Sequence, residues 1–292
     1  MSGALKEVRN RIKSVQSTQQ ITKAMKMVSA AKLRRAQDAI TQMRPYAHKL
    51  QEMLANILSS DGDVSMALAA ERQVEKVMII VVTSDRGLCG GYNSNLIKLT
   101  KQVIHDKYAD QYSKGNVQVL PIGKKAYEHF TKNNFNVVNQ FWEMFTGLSF
   151  EKVQAAAKYA MDAFANKEID AVELVYSEFK NAATQQFIAE PFLPVKKVSH
   201  SESSKKSDFI FEPGKDILIA ELMPKILNTQ LFKAVLDGNA SEHGARMTAM
   251  DKASENANEL LKSLKISYNR ARQAAITTEL TEIVSGAAAL QG

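Results

Sequence analysis

Apolar positions near the start of the chain recur in alternating steps of three and four: Leu5, Val8, Ile12, Val15 and, after the polar Gln19, Thr22, Met25 and Val28. That is the period of a coiled-coil seam, a narrow stripe presented to one partner helix. No proline occurs before Pro45, so a helix of about 65 Å is allowed. The other end repeats the alternation at Met250, Ala253, Ala257, Leu260, Leu264, Ser267, Ala271, Ala274 and Thr278. The proline-free run that carries it begins after Pro224 and would span about 100 Å as a helix. Its last turns are almost all alanine, glycine and short aliphatics, a helix slender enough for a narrow passage. Neither stripe is as wide as the apolar face that packing on a globular core needs, so the two helices are expected to pair antiparallel.

The segment between them changes period. Residues 77–83 (VMIIVVT) form a short β-branched run like a strand buried on both faces. A glycine-punctuated turn (SDRGLCGGYN) and a helical pattern over 94–108 follow. Residues 117–122 (VQVLPI) and 135–141 (FNVVNQF) predict two further strands, each followed by a helix, over 124–131 and 150–165. Residues 169–179 and 186–195 predict a hairpin joined by KNAAT, and 196–207 (KKVSHSESSKKS) a charged, serine-rich loop. Alternating strands and helices argue for a small, mostly parallel open sheet ending in that hairpin. The expected fold class is α/β: a long antiparallel coiled coil of terminal helices plus a small Rossmann-like open domain. The expected division is an N-terminal helix over 1–60, a central domain over 74–196 and a C-terminal helix over 208–292.

Charge sharpens the picture. The 292-residue chain carries +7 overall, yet its first 50 residues hold eleven Lys and Arg against Glu7 and Asp38. Lys6, Arg9, Arg11, Lys13, Lys23, Lys26, Lys32, Arg34 and Arg35 make the N-terminal helix a basic rod, which suits an anionic partner: nucleic acid, acidic lipid or an acidic protein surface. No apolar run reaches membrane-spanning length, and the helical pattern at the start continues too far for a transit peptide. One cysteine, Cys89, excludes an internal disulfide.

Candidate chemistry is thin. The turn with Gly87, Gly90 and Gly91 most resembles a phosphate cradle, but it lacks the lysine of a P-loop and the spacing of a dinucleotide fingerprint. Asp85 and Arg86 are expected to pair locally and shape it. Cys89 is expected to be a small buried residue. His48, His105, His129, His200 and His243 show no metal-ligand spacing, and no cofactor, metal or catalytic residue is expected. Nucleic acid remains an alternative partner for a basic coiled coil, although aromatic interleaving and RNA-binding motifs are missing.

Three blocks then converge. Residues 14–37 (SVQSTQQITKAMKMVSAAKLRRAQ), 83–93 (TSDRGLCGGYN) and 268–290 (YNRARQAAITTELTEIVSGAAAL) closely resemble the gamma subunit of F-type ATP synthases, as does ASEHGARMTAMDKASENA. The resemblance implies a non-catalytic central shaft whose terminal helices form an antiparallel coiled coil inside a ring of three alpha and three beta subunits. Rotation would couple proton or sodium flow to ATP synthesis, with the alpha and beta subunits, the epsilon subunit and the membrane c-ring as partners. Neither nucleic acid nor a small-molecule substrate would be bound directly. By the same resemblance Arg272 and Gln273 face the beta-subunit catch loop, with Thr277 and Glu279 close by. Met25 and Lys26 match positions facing the beta acidic loop. Phe209, Phe211 and Glu212 match the foot that meets epsilon and the rotor ring. The lack of the chloroplast paired-cysteine insertion and of a presequence favours a bacterial subunit, peripheral on the cytoplasmic face of the inner membrane.

Overall fold

The computed structural model describes residues 3–59, 67–70, 72–182, 184–195 and 215–291. They divide into two units, Met1–Ser29 with Met247–Gly292, and Ala30–Arg246. Two helices run through both: α1 (Gly3–Ser59) and α6 (Lys215–Gln291). Each is longer than its proline-free stretch, because Pro45 and Pro224 both sit inside helix. A proline inside a helix removes one backbone hydrogen bond.

In the unit formed by the chain ends, the helices lie antiparallel. Arg9, Gln19, Thr22 and Lys26 of α1 meet Tyr268, Asn258, Ser254 and Asp251 of α6, one series rising as the other falls. The buried stripe on α1 follows Leu5, Thr22 and Ser29, with Val8, Ile12, Val15, Gln19 and Met25 half-buried. On α6 it follows Met250, Ser254, Ala257, Leu261 and Leu264, then half-buried Tyr268, Ala271 and Ala275. The alternation of three and four is therefore real, but its phase differs from the expected one. Val28 is 58 % exposed and Ser29 takes its place; Leu260 yields to Leu261, Ser267 to Tyr268 and Ala274 to Ala275. Thr278 is exposed.

The α/β unit is a five-stranded sheet in the order β3-β2-β1-β4-β5. Strand β2 (Val117–Ile122) coincides with the expected run, β1 (Val77–Val82) stops one residue short of it, and β1 is buried at all six positions. It pairs in parallel with β2 on one side and β4 (Ala171–Phe179) on the other, which is why it is apolar on both faces. Strand β4 turns back antiparallel into β5 (Gln185–Leu193). The third strand is the correction: β3 is only Asn136–Val137, paired to β2 through Gln118 and Val119 at the sheet edge. The rest of the expected 135–141 strand leaves the ladder into turns.

Two helical layers cover the sheet. Met78, Ile80 and Val82 pack with α5 (Phe150–Ala165) and with Leu227, Leu231 and Val235 of α6. Val77, Ile79 and Val81 pack with α2 (Tyr92–Lys107), α4 (Lys124–Lys132) and Ala245. A short α3 (Ala109–Ser113) follows α2. Helix α5 starts where Ser149 accepts the Lys152 N–H at 3.4 Å, an N-cap that fixes its first turn. Below the sheet, Arg72 donates to Asp170 (2.6 Å) and to the Phe164 carbonyl (2.8 Å), with its guanidinium 4.3 Å from the Phe164 ring centre. Burial opposes ionisation of Asp170, but the Lys76 and Glu75 N–H groups and Arg72 outweigh it and lower its pKa.

Candidate interaction surfaces

The coil seam is unusually polar. Thr22 and Ser254, both buried, share a hydrogen bond of 2.7 Å, and whichever hydroxyl accepts it gives its own proton to a carbonyl of its own helix, that of Gln19 for Thr22 or of Met250 for Ser254. Gln19 bonds Asn258, and Lys26 meets Asp251 at 2.5 Å. Arg9 donates to the Tyr268 hydroxyl at 2.8 Å and lies 5.7 Å from its ring centre. Short hydroxyl side chains let two backbones approach closely, and specific polar partners pin the register. Lys26 is thus tied across the coil rather than projecting freely, and Met25 beside it is half-buried. The outward face of α1 carries exposed Lys6, Arg11, Lys13 and Lys23, with Ile21, Met27 and Val28 also exposed among them.

The same register explains the far end of α6. Six residues before Arg9, α1 begins at Gly3; six residues after Tyr268 comes Ala274. Beyond that point α6 has no α1 residue opposite it. Every residue from 276 to 290 is exposed, including Ile276, Leu280, Ile283, Val284 and Leu290, the last 89 % exposed. Arg272 and Gln273 stand where the paired part ends, and Thr277 and Glu279 on the unpaired part. All four are exposed, and the Thr277 hydroxyl bonds back to the Gln273 carbonyl at 3.0 Å. Such a helix end offers polar groups at its base and an apolar surface at its tip. Phe209, Phe211 and Glu212 lie outside the described residues.

Within the α/β unit, the glycine turn does structural work. Gly90 (φ 60°) and Leu88 (φ 65°) are left-handed. Asp85 does not pair with Arg86: its carboxylate accepts the Lys124 N–H at 3.0 Å, at the start of α4. The Arg86 and Gly87 carbonyls instead accept from Arg246 of α6, at 3.0 and 3.3 Å. Arg246 is 8 % exposed and bonds Glu242, one turn earlier. Burial raises the Glu242 pKa against the pull of Arg246. Burial, then Arg246 and Lys32, push His243 down to about 4, so its ring is neutral. Tyr92, fully buried, donates to the Gly238 carbonyl at 2.9 Å.

Sequence reasoning missed Glu242 and Arg246. Their spacing of four on a helix is a legible ion-pair signal, but the burial that makes it matter is not. Cys89 is buried as expected, and desolvation raises its pKa, so the thiol stays protonated. Among the described residues no three Asp, Glu, His or Cys side chains come together as a metal ion would need.

Residues 4–290 match the ATP synthase family. The chain is 52 % identical over 291 residues to the ATP synthase gamma chain of Cytophaga hutchinsonii, covering 98 % of this chain and 99 % of that one. It is 50 % identical over 289 residues to the gamma chain of Flavobacterium psychrophilum, with 99 % of each covered. Among solved structures, the OSCP/F1/c-ring of Euglena gracilis mitochondrial ATP synthase contains a chain similar in fold, with a TM-score of 0.67 at 21 % identity. That match covers 99 % of this chain and 95 % of the other.

Proposed function

Since this chain belongs to the family of ATP synthase gamma chains, we infer that it is the central rotor shaft of a bacterial F-type ATP synthase. It performs no catalysis itself. It couples ion flow through the membrane ring to ATP synthesis, or ATP hydrolysis to rotation, by turning inside the alpha/beta catalytic ring. Its partners are the alpha and beta subunits, the epsilon subunit and the c-ring. It is a peripheral component at the cytoplasmic face of the plasma membrane, and no described helix is long and apolar enough to cross a bilayer.

The observation that carries this reading is the end of α6, one helix thick and exposed on all sides from residue 276 to 290. A lone helix of about four turns is marginal in water, so an apolar one needs a sleeve to hold it. A ring of surrounding subunits supplies that sleeve, and short side chains let the helix turn within it. Arg272 and Gln273, with Thr277 and Glu279, are the polar groups through which beta subunits would grip the turning helix. Met25 and the Lys26–Asp251 pair would face the beta acidic loop, beside the basic outer face of α1. Phe209, Phe211 and Glu212 would contact epsilon and the rotor ring. The working division is a coil helix over 1–60, an α/β domain over 74–196 and a second coil helix over 208–292.

Reconstitution with alpha and beta subunits of the same source tests the reading. A stoichiometric, cooperative ATPase should form, and deleting residues 277–292 or combining Arg272→Ala with Gln273→Ala should cripple it. Failure to co-assemble, with salt-sensitive binding to generic DNA instead, would overturn the shaft role.

A further inference from the structure

We draw no further inference here: the strongest candidate, the basic groove between α2 and α4 lined by Lys98, Lys101, His105 and His129, rests on exposed lysine side chains, and nothing in the structure shows what covers it.

Discussion

Thr22 of α1 and Ser254 of α6 share a 2.7 Å hydrogen bond in the buried seam of the coil, where a coiled coil ordinarily places leucine. The hydroxyl that accepts this bond gives its own proton to a carbonyl of its own helix. Thr22→Val keeps the shape and should cost about 1 kcal/mol, and Ser254→Ala a similar amount. Because either single change already breaks the shared bond, the double variant should lose less than the two combined, with a coupling of about 0.5–1 kcal/mol. Urea unfolding of the four proteins measures it; strict additivity would mean the bond does not hold the register.

Arg246 closes the glycine turn onto α6 and neutralises Glu242. Arg246→Ala leaves a carboxylate buried without its partner and should cost about 3–5 kcal/mol. Combining Arg246→Met with Glu242→Leu removes both charges and should restore most of the loss. Denaturation midpoints of the two variants decide the matter: equal losses would show that the contacts to the Arg86 and Gly87 carbonyls dominate.

Two buried groups should tilt stability with pH in opposite directions. Asp237 is pushed up to about 6, by burial first and also by Glu178, against the pull of Lys233, Arg44 and Lys180. Its folded pKa lies above its unfolded one, so its contribution is full below pH about 3.8 and lost as pH rises through 6. Asp237→Asn should therefore stabilise the chain above pH 7, by at most about 3 kcal/mol, and do little at pH 4. His243, held down near 4, contributes above pH about 6.5 and loses that contribution as pH falls towards 4. His243→Gln should flatten the acid side of the stability curve. Thermal melts from pH 4 to 8 read both slopes, and a wild-type slope retained in either variant would reassign its source.

Gly238 lies where α6 crosses the end of β1. A methyl group there would sit 2.9 Å from Val82 Cγ1, on a strand with no exposed atoms to yield. Gly238→Ala should cost about 1–3 kcal/mol. Gly286, near the exposed end of the same helix, has nothing within 4 Å. Gly286→Ala should raise helix content there, worth up to about 1 kcal/mol of local helix stability, seen as slower amide exchange near residue 286.

Much of the α/β unit was legible because its signals are local. Strand β1 is six consecutive apolar residues, one short of the expected run, and the helical pattern over 150–165 coincides with α5. Strand β3 was overestimated because Phe135, Val137 and Val138 look like a strand even where only one neighbour is present to pair. The coil was legible in period but not in phase. Val28 is more hydrophobic than Ser29, and Leu260 is no less so than Leu261, yet Ser29 and Leu261 are the buried ones and the line they lie on includes the Thr22–Ser254 hydroxyl pair. Hydrophobicity alone cannot choose between adjacent stripes when the seam is built from small polar residues. Lys26 shows the same limit: its charge was plain, its tie to Asp251 was not.

The end of α1 opposite Ala274 has a consequence for the life of the chain before assembly. From residue 276 onward α6 buries almost nothing of its own, so its backbone hydrogen bonds open at little cost. An unassembled copy is expected to present a fraying, apolar terminus to cellular proteases, whereas an assembled copy hides it. Limited proteolysis should trim the free chain back to about residue 275 and leave the incorporated chain whole. The helix that would bear the load in the complete machine would then also be the first part of a surplus copy to be cut.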